Sequence, residues 1–193
     1  MKGWYFAATD RRLRYGDGRV AKVGVTHEVE GVPECCERGL HASTRALDAL
    51  RLGAGPVAFR VTLSGDMDHS DDKSAAQART YDRGGIDLTP TLIEFACCAA
   101  MGAMLLAEHD DERSWTAIEA ALAWTRGEIT REELTDAAYA AAYAAAYAAH
   151  AAHAAYAAYA AYTANAADAA AASDELNALL ERMITEEWDG TGV

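Results

Sequence analysis

Basic side chains are scarce in this sequence. Across 193 residues, 17 Lys and Arg stand against 30 Asp and Glu, a formal net charge of −13. Binding a phosphate backbone needs a basic face, so this balance argues against direct nucleic-acid contact and fits a protein partner with a basic surface. Long apolar runs are missing as well. The most apolar one, Phe95 to Ala107, has thirteen residues, fewer than the roughly twenty that cross a bilayer, so no membrane span is expected. Met1-Lys2-Gly3-Trp4 opens into mixed sequence rather than a signal peptide. Cysteine is limited to two adjacent pairs, Cys35-Cys36 and Cys97-Cys98. Neighbouring cysteines rarely bond to each other and do not match the spaced pairs of zinc ribbons, so reduced thiols and a cytoplasmic location are expected. There is no Gly-x-x-x-x-Gly-Lys-Ser/Thr run, no Gly-x-Ser-x-Gly elbow and no His-Glu-x-x-His helix. These absences lower the expectation of a common enzyme, and neither a cofactor nor a metal is predicted.

The charge that is present is uneven. Residues 1–65 carry ten Lys and Arg against seven Asp and Glu, residues 66–136 six against sixteen, and residues 137–193 one against seven. Large apolar side chains cluster before Leu134 and after Leu176. The pattern predicts an α+β protein, with a mixed α/β domain over residues 1–108 and a helical region over 109–193. In the first part, Gly16-Asp17-Gly18 marks a turn, and Val20–Val25 and Cys36–His41 read as strands. Ser43 is placed to cap a helix over Thr44–Leu52 that ends at Gly53. Val57, Phe59, Val61 and Leu63 alternate with Ala58, Arg60 and Thr62 in a half-buried strand. Residues 65–90 are polar and read as a loop with one short helix around Ser74–Thr80. Thr89-Pro90 starts a central helix that runs to about Glu108. Ser114 is placed to cap the next, with Trp115, Ile118 and Leu122 on one face and Gly127 at its end. Thr130 and Glu133 form a capping box.

That box opens the most unusual segment. From Ala137 to Ala172 the chain is almost all alanine, without proline or glycine, interrupted by Tyr139, Tyr143, Tyr147, His150, His153, Tyr156, Tyr159, Tyr162, Asn165 and Asp168. Alanine has the highest helix propensity, so residues 131–172 are expected to form one continuous helix, of about 1.5 Å per residue. The aromatic positions step by four and then by three. Three residues fall about 60° short of a turn, so these side chains wind around the axis instead of forming a seam. The segment is either a repeat expansion tolerated because it stays helical, or an arm that contacts a partner.

The candidate site residues are mostly acidic. Asp66, Asp68, Asp71 and Asp72 form one dense run, and Asp110, Asp111 and Glu112 another. The first lacks the glycine and closing glutamate of a calcium loop and reads as a solvated turn able to meet a basic partner. His41 and Ser43 are expected to be structural or to line a site. His150 and His153 are three apart but have no third ligand nearby, which argues against zinc.

Residues 1–100 resemble an uncharacterised domain recurrent in phage and prophage proteins. The residues that carry the likeness are Trp4-Tyr5-Phe6, Tyr15-Gly16-Asp17-Gly18-Arg19, the run Cys36-Glu37-Arg38-Gly39-Leu40-His41-Ala42-Ser43, and Asp72-Lys73. From Ala117 through Trp124-Thr125-Arg126-Gly127-Glu128-Ile129 into the alanine repeats, the chain resembles an immunity-protein family with long alanine-rich helices. Together the resemblances imply an accessory protein of a mobile element in the host cell cytoplasm. Such a protein would inhibit a host system, for example a nuclease-based defence, by presenting acid where nucleic acid binds. One alternative is an ADP-ribosyltransferase-like enzyme. Gly39-Leu40-His41-Ala42-Ser43, the helix to Leu52 and the strand Val57–Leu63 are similar in order to that family's site, which implies a dinucleotide pocket at His41 and Ser43. The glutamate usual on a late strand of that family is missing, because the nearest candidate, Glu94, falls in a predicted helix. A further alternative is a structural or immunity protein that forms homo-oligomers through its helical arm.

Overall fold

The structure, a computed structural model, describes residues 1–15, 17–106, 112–130, 132–134 and 166–193. It is an α+β fold built on one antiparallel sheet. Strands β1 (Lys2–Ala7), β2 (Thr26–Glu28) and β3 (Leu40–Ala42) are followed by helix α1 (Ala46–Leu52), and then by the long strands β4 (Val57–His69) and β5 (Ser74–Asp87). Helices α2 (Thr89–Leu106), α3 (Glu112–Thr125) and α4 (Ala166–Thr191) complete the described elements. The chain divides into two compact units, residues 1–89 with 177–193, and residues 90–176.

In the first unit the strand order is β1-β4-β5-β2, and β3 also pairs with β5, further along it. Just past β3, Ser43 bridges to Trp4 on β1, with bonds of 2.7 and 3.1 Å. The sheet therefore curls until its two edges meet. Ala7, Ala42, Val57, Phe59, Val61, Leu63, Ala76 and Tyr81 form the buried cluster, the alternating residues of β4 supplying its bulk.

The polar stretch after Leu63 is not a loop with a helix. It is the outer half of the β4–β5 hairpin, paired from Leu63↔Arg79 to His69↔Ser74 with one bulge between Ser64 and Met67. Ser74-Ala75-Ala76-Gln77-Ala78 has no strand propensity to speak of, but its edge takes both β4 and β3 as partners, and this pairing overrides local preference. The expected strand over Val20–Val25 is also displaced. Val20 makes only an isolated bridge to Arg12, and the strand is Thr26–Glu28.

Helix α1 begins at Ala46 after Arg45, not at Ser43. Ser43 is held in extended pairing with Trp4, so it cannot cap. The helix is capped instead from α4: Asn177 Oδ1 accepts the Leu47 N–H at 3.0 Å, and Glu181 Oε1 accepts the Ala46 N–H at 3.4 Å. Glu181 Oε1 also accepts the indole N–H of Trp4 at 3.1 Å. Leu180, Ile184 and Trp188, four residues apart, form the buried stripe of this last segment. Trp188 stacks on Trp4, and Arg83 lies over the Trp188 ring while its guanidinium bonds Asp189 at 2.6 Å.

Helix α2 begins at Thr89, the last residue before the second unit, whose N–H and hydroxyl both donate to Asp87 at the end of β5. The helix is expected to be apolar nearly all round, and its described residues are both buried and exposed. Thr91, Phe95 and Cys97 are buried, but Ala96, Ala100, Gly102 and Leu105 are exposed. Ser114 lies within α3 and is buried, rather than capping it. Gly127, at φ 70°, ends α3, with the Glu128 N–H returning to Ala123 O at 2.9 Å. The capping box is present: the Glu133 N–H donates to Thr130 Oγ1 at 3.2 Å, and the Thr130 N–H to Glu133 Oε2 at 2.8 Å. The continuous helix expected from residue 131 to 172 lies mostly outside the described residues, with the described part helical at 132–134 and 166–172.

Candidate functional site

The four aspartates of the first acidic run stand at the turn end of the β4–β5 hairpin, and they divide into two kinds. Asp68 and Asp72 brace the turn. Asp68 accepts the Cys35 backbone N–H at 2.8 Å, and this bond, ahead of any other influence, holds its carboxyl below the usual aspartate range. Asp72 bonds Arg51 at 2.9 Å. Asp66 and Asp71 are exposed to solvent, with the half-exposed Met67 beside Asp66. Only the backbone of Asp66 is engaged, its N–H donating to Gln77 Oε1 at 3.0 Å. Glu112 is exposed at the start of α3, and Asp110 and Asp111 lie outside the described residues. His150 and His153 lie outside them as well.

His41 sits on β3, and its Nε2 accepts the Cys36 N–H at 3.2 Å. Burial, then the nearby Lys73 and Arg79 charges, pushes its pKa down, so it is held neutral. Ser43 is 2% exposed, and both its backbone groups pair with Trp4. His41 lies on β3 and Ser43 just past its end. Among the described residues, no group of three or more His, Cys, Asp or Glu is placed to hold a metal.

A buried polar chain escaped the sequence reading. Arg79 is 2% exposed, and none of the ion pairs among the described residues involves it. Its Nη1 donates to the His41 carbonyl at 2.6 Å, and its Nη2 and Nε to the Tyr81 hydroxyl at 2.8 and 3.2 Å. The face of Tyr5 covers the guanidinium at 3.6 Å. Tyr81 Oη thus accepts from Arg79, and its own proton is left for His27 Nδ1, 3.1 Å away. That assignment puts the His27 proton on Nε2. It agrees with a His27 pKa pushed down first by burial and then by the Arg19 and Arg79 charges. Tyr81, fully buried, is pushed up by the same loss of solvent. The chain runs Arg79 to Tyr81 to His27, ties β2, β3 and β5 together, and places a fixed positive charge beneath Tyr5. Arg79 and Tyr81 are two apart and so share a face of β5. Reading residues 74–87 as a strand would have paired them.

At the hairpin tip, Lys73 lies beside the Cys36 thiol, and Cys35 Sγ faces Asp68 O at 3.4 Å. All four cysteines are free. No helix among the described residues is long and apolar enough to cross a membrane. No family model, curated protein or solved structure matches this chain.

Proposed function

We propose that the protein is a non-enzymatic interaction protein that presents carboxylates to a basic surface of a protein partner. It acts in the cytoplasm of a host cell as an accessory protein of a phage or prophage. Its partner is a nucleic-acid-acting protein, such as a nuclease-based defence component, whose phosphate-binding surface it covers. The observation that carries this reading is the division of labour at the hairpin tip. Asp68 and Asp72 are engaged by Cys35 and Arg51, which leaves Asp66, Met67 and Asp71 presented to solvent at the turn. A braced turn has less backbone freedom to lose on binding, and its charge raises the on-rate toward a basic surface. The second acidic run, which includes Glu112, adds to the same sign of charge.

The ADP-ribosyltransferase alternative draws no support from His41 and Ser43, since a backbone N–H occupies the His41 ring nitrogen and Ser43 is buried in pairing. Glu94 stands on α2 rather than on a strand.

Affinity capture from host extract, followed by binding measurements with the captured protein, tests the proposal. Asp66→Asn with Asp71→Asn, and separately Asp110→Asn, Asp111→Asn and Glu112→Gln, are expected to weaken binding and flatten its salt dependence, because screening acts over about 10 Å at 0.1 M. Tyr156, Tyr159 and Tyr162 changed to alanine are expected to leave it nearly intact. Loss of binding in the tyrosine set alone would move the surface to the alanine-rich arm.

A further inference from the structure

Two stretches of uncommon backbone meet at one cleft in the first unit. The loop after β1 folds back through a bridge between Arg12 and Val20, with the Ala21 N–H donating to Arg11 O at 2.8 Å. Arg11 and Lys22 therefore flank the same bridge. Arg11 has φ 59°, in the left-handed region that side chains other than glycine rarely adopt and that recurs at functional sites. Facing this loop, β5 carries two bulges. Phe59 pairs with Gly84 and Ala58 with Ile86, so Gly85 has no partner on β4. Arg60 pairs with Arg83 and Val61 with Tyr81, so Asp82 has none either. Bulges of this kind re-aim backbone groups and gather beside binding sites.

The cleft between loop and bulges holds about 390 Å³ and is also walled by Val23 and Ile86. That volume is in the range of small-molecule sites, roughly 300 to 1,000 Å³. Its charges do not cancel. Arg83 is already engaged by Asp189 and the Val193 carbonyl, each at 2.6 Å, and Asp82 accepts the Thr62 hydroxyl at 2.8 Å. Arg11 and Lys22 are exposed at the wall, and neither takes part in an ion pair among the described residues. With Arg83 paired to Asp189, the exposed Arg11 and Lys22 outnumber the one side-chain carboxylate of the lining, Asp82, in a chain whose net charge is −13.

We propose that this cleft binds a small molecule carrying a phosphate group on a body with an apolar face. Arg11 and Lys22 meet the phosphate, and Val23 and Ile86 cover the body. Arg supplies a planar fork and Lys a point charge, a pairing suited to phosphate. The site is separate from the acidic hairpin tip and does not depend on it.

Titration calorimetry on the full chain tests this, with adenosine monophosphate, adenosine and inorganic phosphate as probes. The monophosphate is expected to bind with a dissociation constant on the order of 1 mM or below, and each of the other two at least about tenfold more weakly. Arg11→Gly with Lys22→Ala is expected to reduce monophosphate affinity at least about tenfold, since both charge-assisted contacts are removed. Glycine accepts φ 59° without strain, so the variant keeps its fold, and an unchanged thermal midpoint would establish that. Binding in the variant equal to that of the wild type, equal binding of monophosphate and adenosine, or no heat from any probe would each overturn the proposal.

Discussion

Trp188 lies against Trp4 with ring centroids 5.5 Å apart and planes inclined by 27°, which fixes the end of the chain on the strand that begins it. Trp188 is 1% exposed, and its indole N–H is buried without a hydrogen-bond partner among the described residues. Ring area and the lost hydrogen bond therefore pull in opposite directions. Trp188→Ala is expected to cost about 3–5 kcal/mol, because it opens a cavity between α4 and β1. Trp188→Phe is expected to cost far less, since it keeps an aromatic ring against Trp4 while removing the unsatisfied donor. Urea unfolding of both variants measures the difference, and equal losses would mean that the ring kept in Trp188→Phe contributes nothing to the packing on Trp4.

Gly84 is required by the same packing. Its φ is 103°, and a β-carbon there would overlap the Ala58 carbonyl oxygen and stand 2.8 Å from the Trp188 ring. Gly84→Ala is expected to destabilise by more than the roughly 1 kcal/mol of backbone strain alone, as both neighbours are fixed. Combining it with Trp188→Ala should give less than the sum of the two losses, because the second change frees one of the clashing partners. A strictly additive double variant in urea unfolding would separate Gly84 from the docked helix.

What was legible in the sequence was local. The alternation Val57 to Leu63, the Thr130–Glu133 box and the Gly127 stop each depend on residues within a few positions, and each is present. What was not legible was set by partners far along the chain. Ser43 has the chemistry of a cap, but its pairing with Trp4 leaves that role to Asn177 and Glu181, more than 130 residues on. Residues 74–78 have the composition of a helix or turn and become strand because β3 and β4 flank them. At the candidate site, the density of Asp66 to Asp72 was visible, but which carboxylates are free was not, since that depends on Cys35 and Arg51 arriving from other elements.

The Arg79–Tyr81–His27 chain gives a third test. Tyr81→Phe removes the acceptor of two Arg79 donors and the donor to His27, all of them buried. A loss of about 1–3 kcal/mol is expected, the cost of leaving buried polar groups unpaired. Arg79→Met, which removes the cation together with its need for partners, is expected to lower the additional cost of Tyr81→Phe in a double-mutant cycle. An unchanged cost of Tyr81→Phe in the Arg79→Met background would show that the two side chains act independently.

The same chain sets how stability varies with pH. His27 and His41 both have folded pKa values below the unfolded histidine value, chiefly because burial disfavours the charged ring. His27 faces Arg19, Arg79 and Asp17, and His41 faces Lys73 and Arg79, so a proton on either ring meets at least one cation. As pH falls past about 6.5, the unfolded chain takes up protons that the folded chain refuses, and stability declines. The contribution is fully present above that value and is lost as pH drops toward the folded pKa values. A second decline belongs to the carboxylates. Asp17, lowered by its bond to Arg19, and Asp68, lowered by the Cys35 N–H, lose their contribution only below about pH 4, the ordinary aspartate range. Urea unfolding between pH 8 and pH 5 therefore isolates the histidines. Wild-type stability is expected to fall over that interval, and His27→Gln with His41→Gln is expected to fall much less, since glutamine keeps hydrogen-bonding capacity without titrating. A wild-type profile that is flat from pH 8 to 5, or a double variant that declines as steeply as the wild type, would refute the assignment.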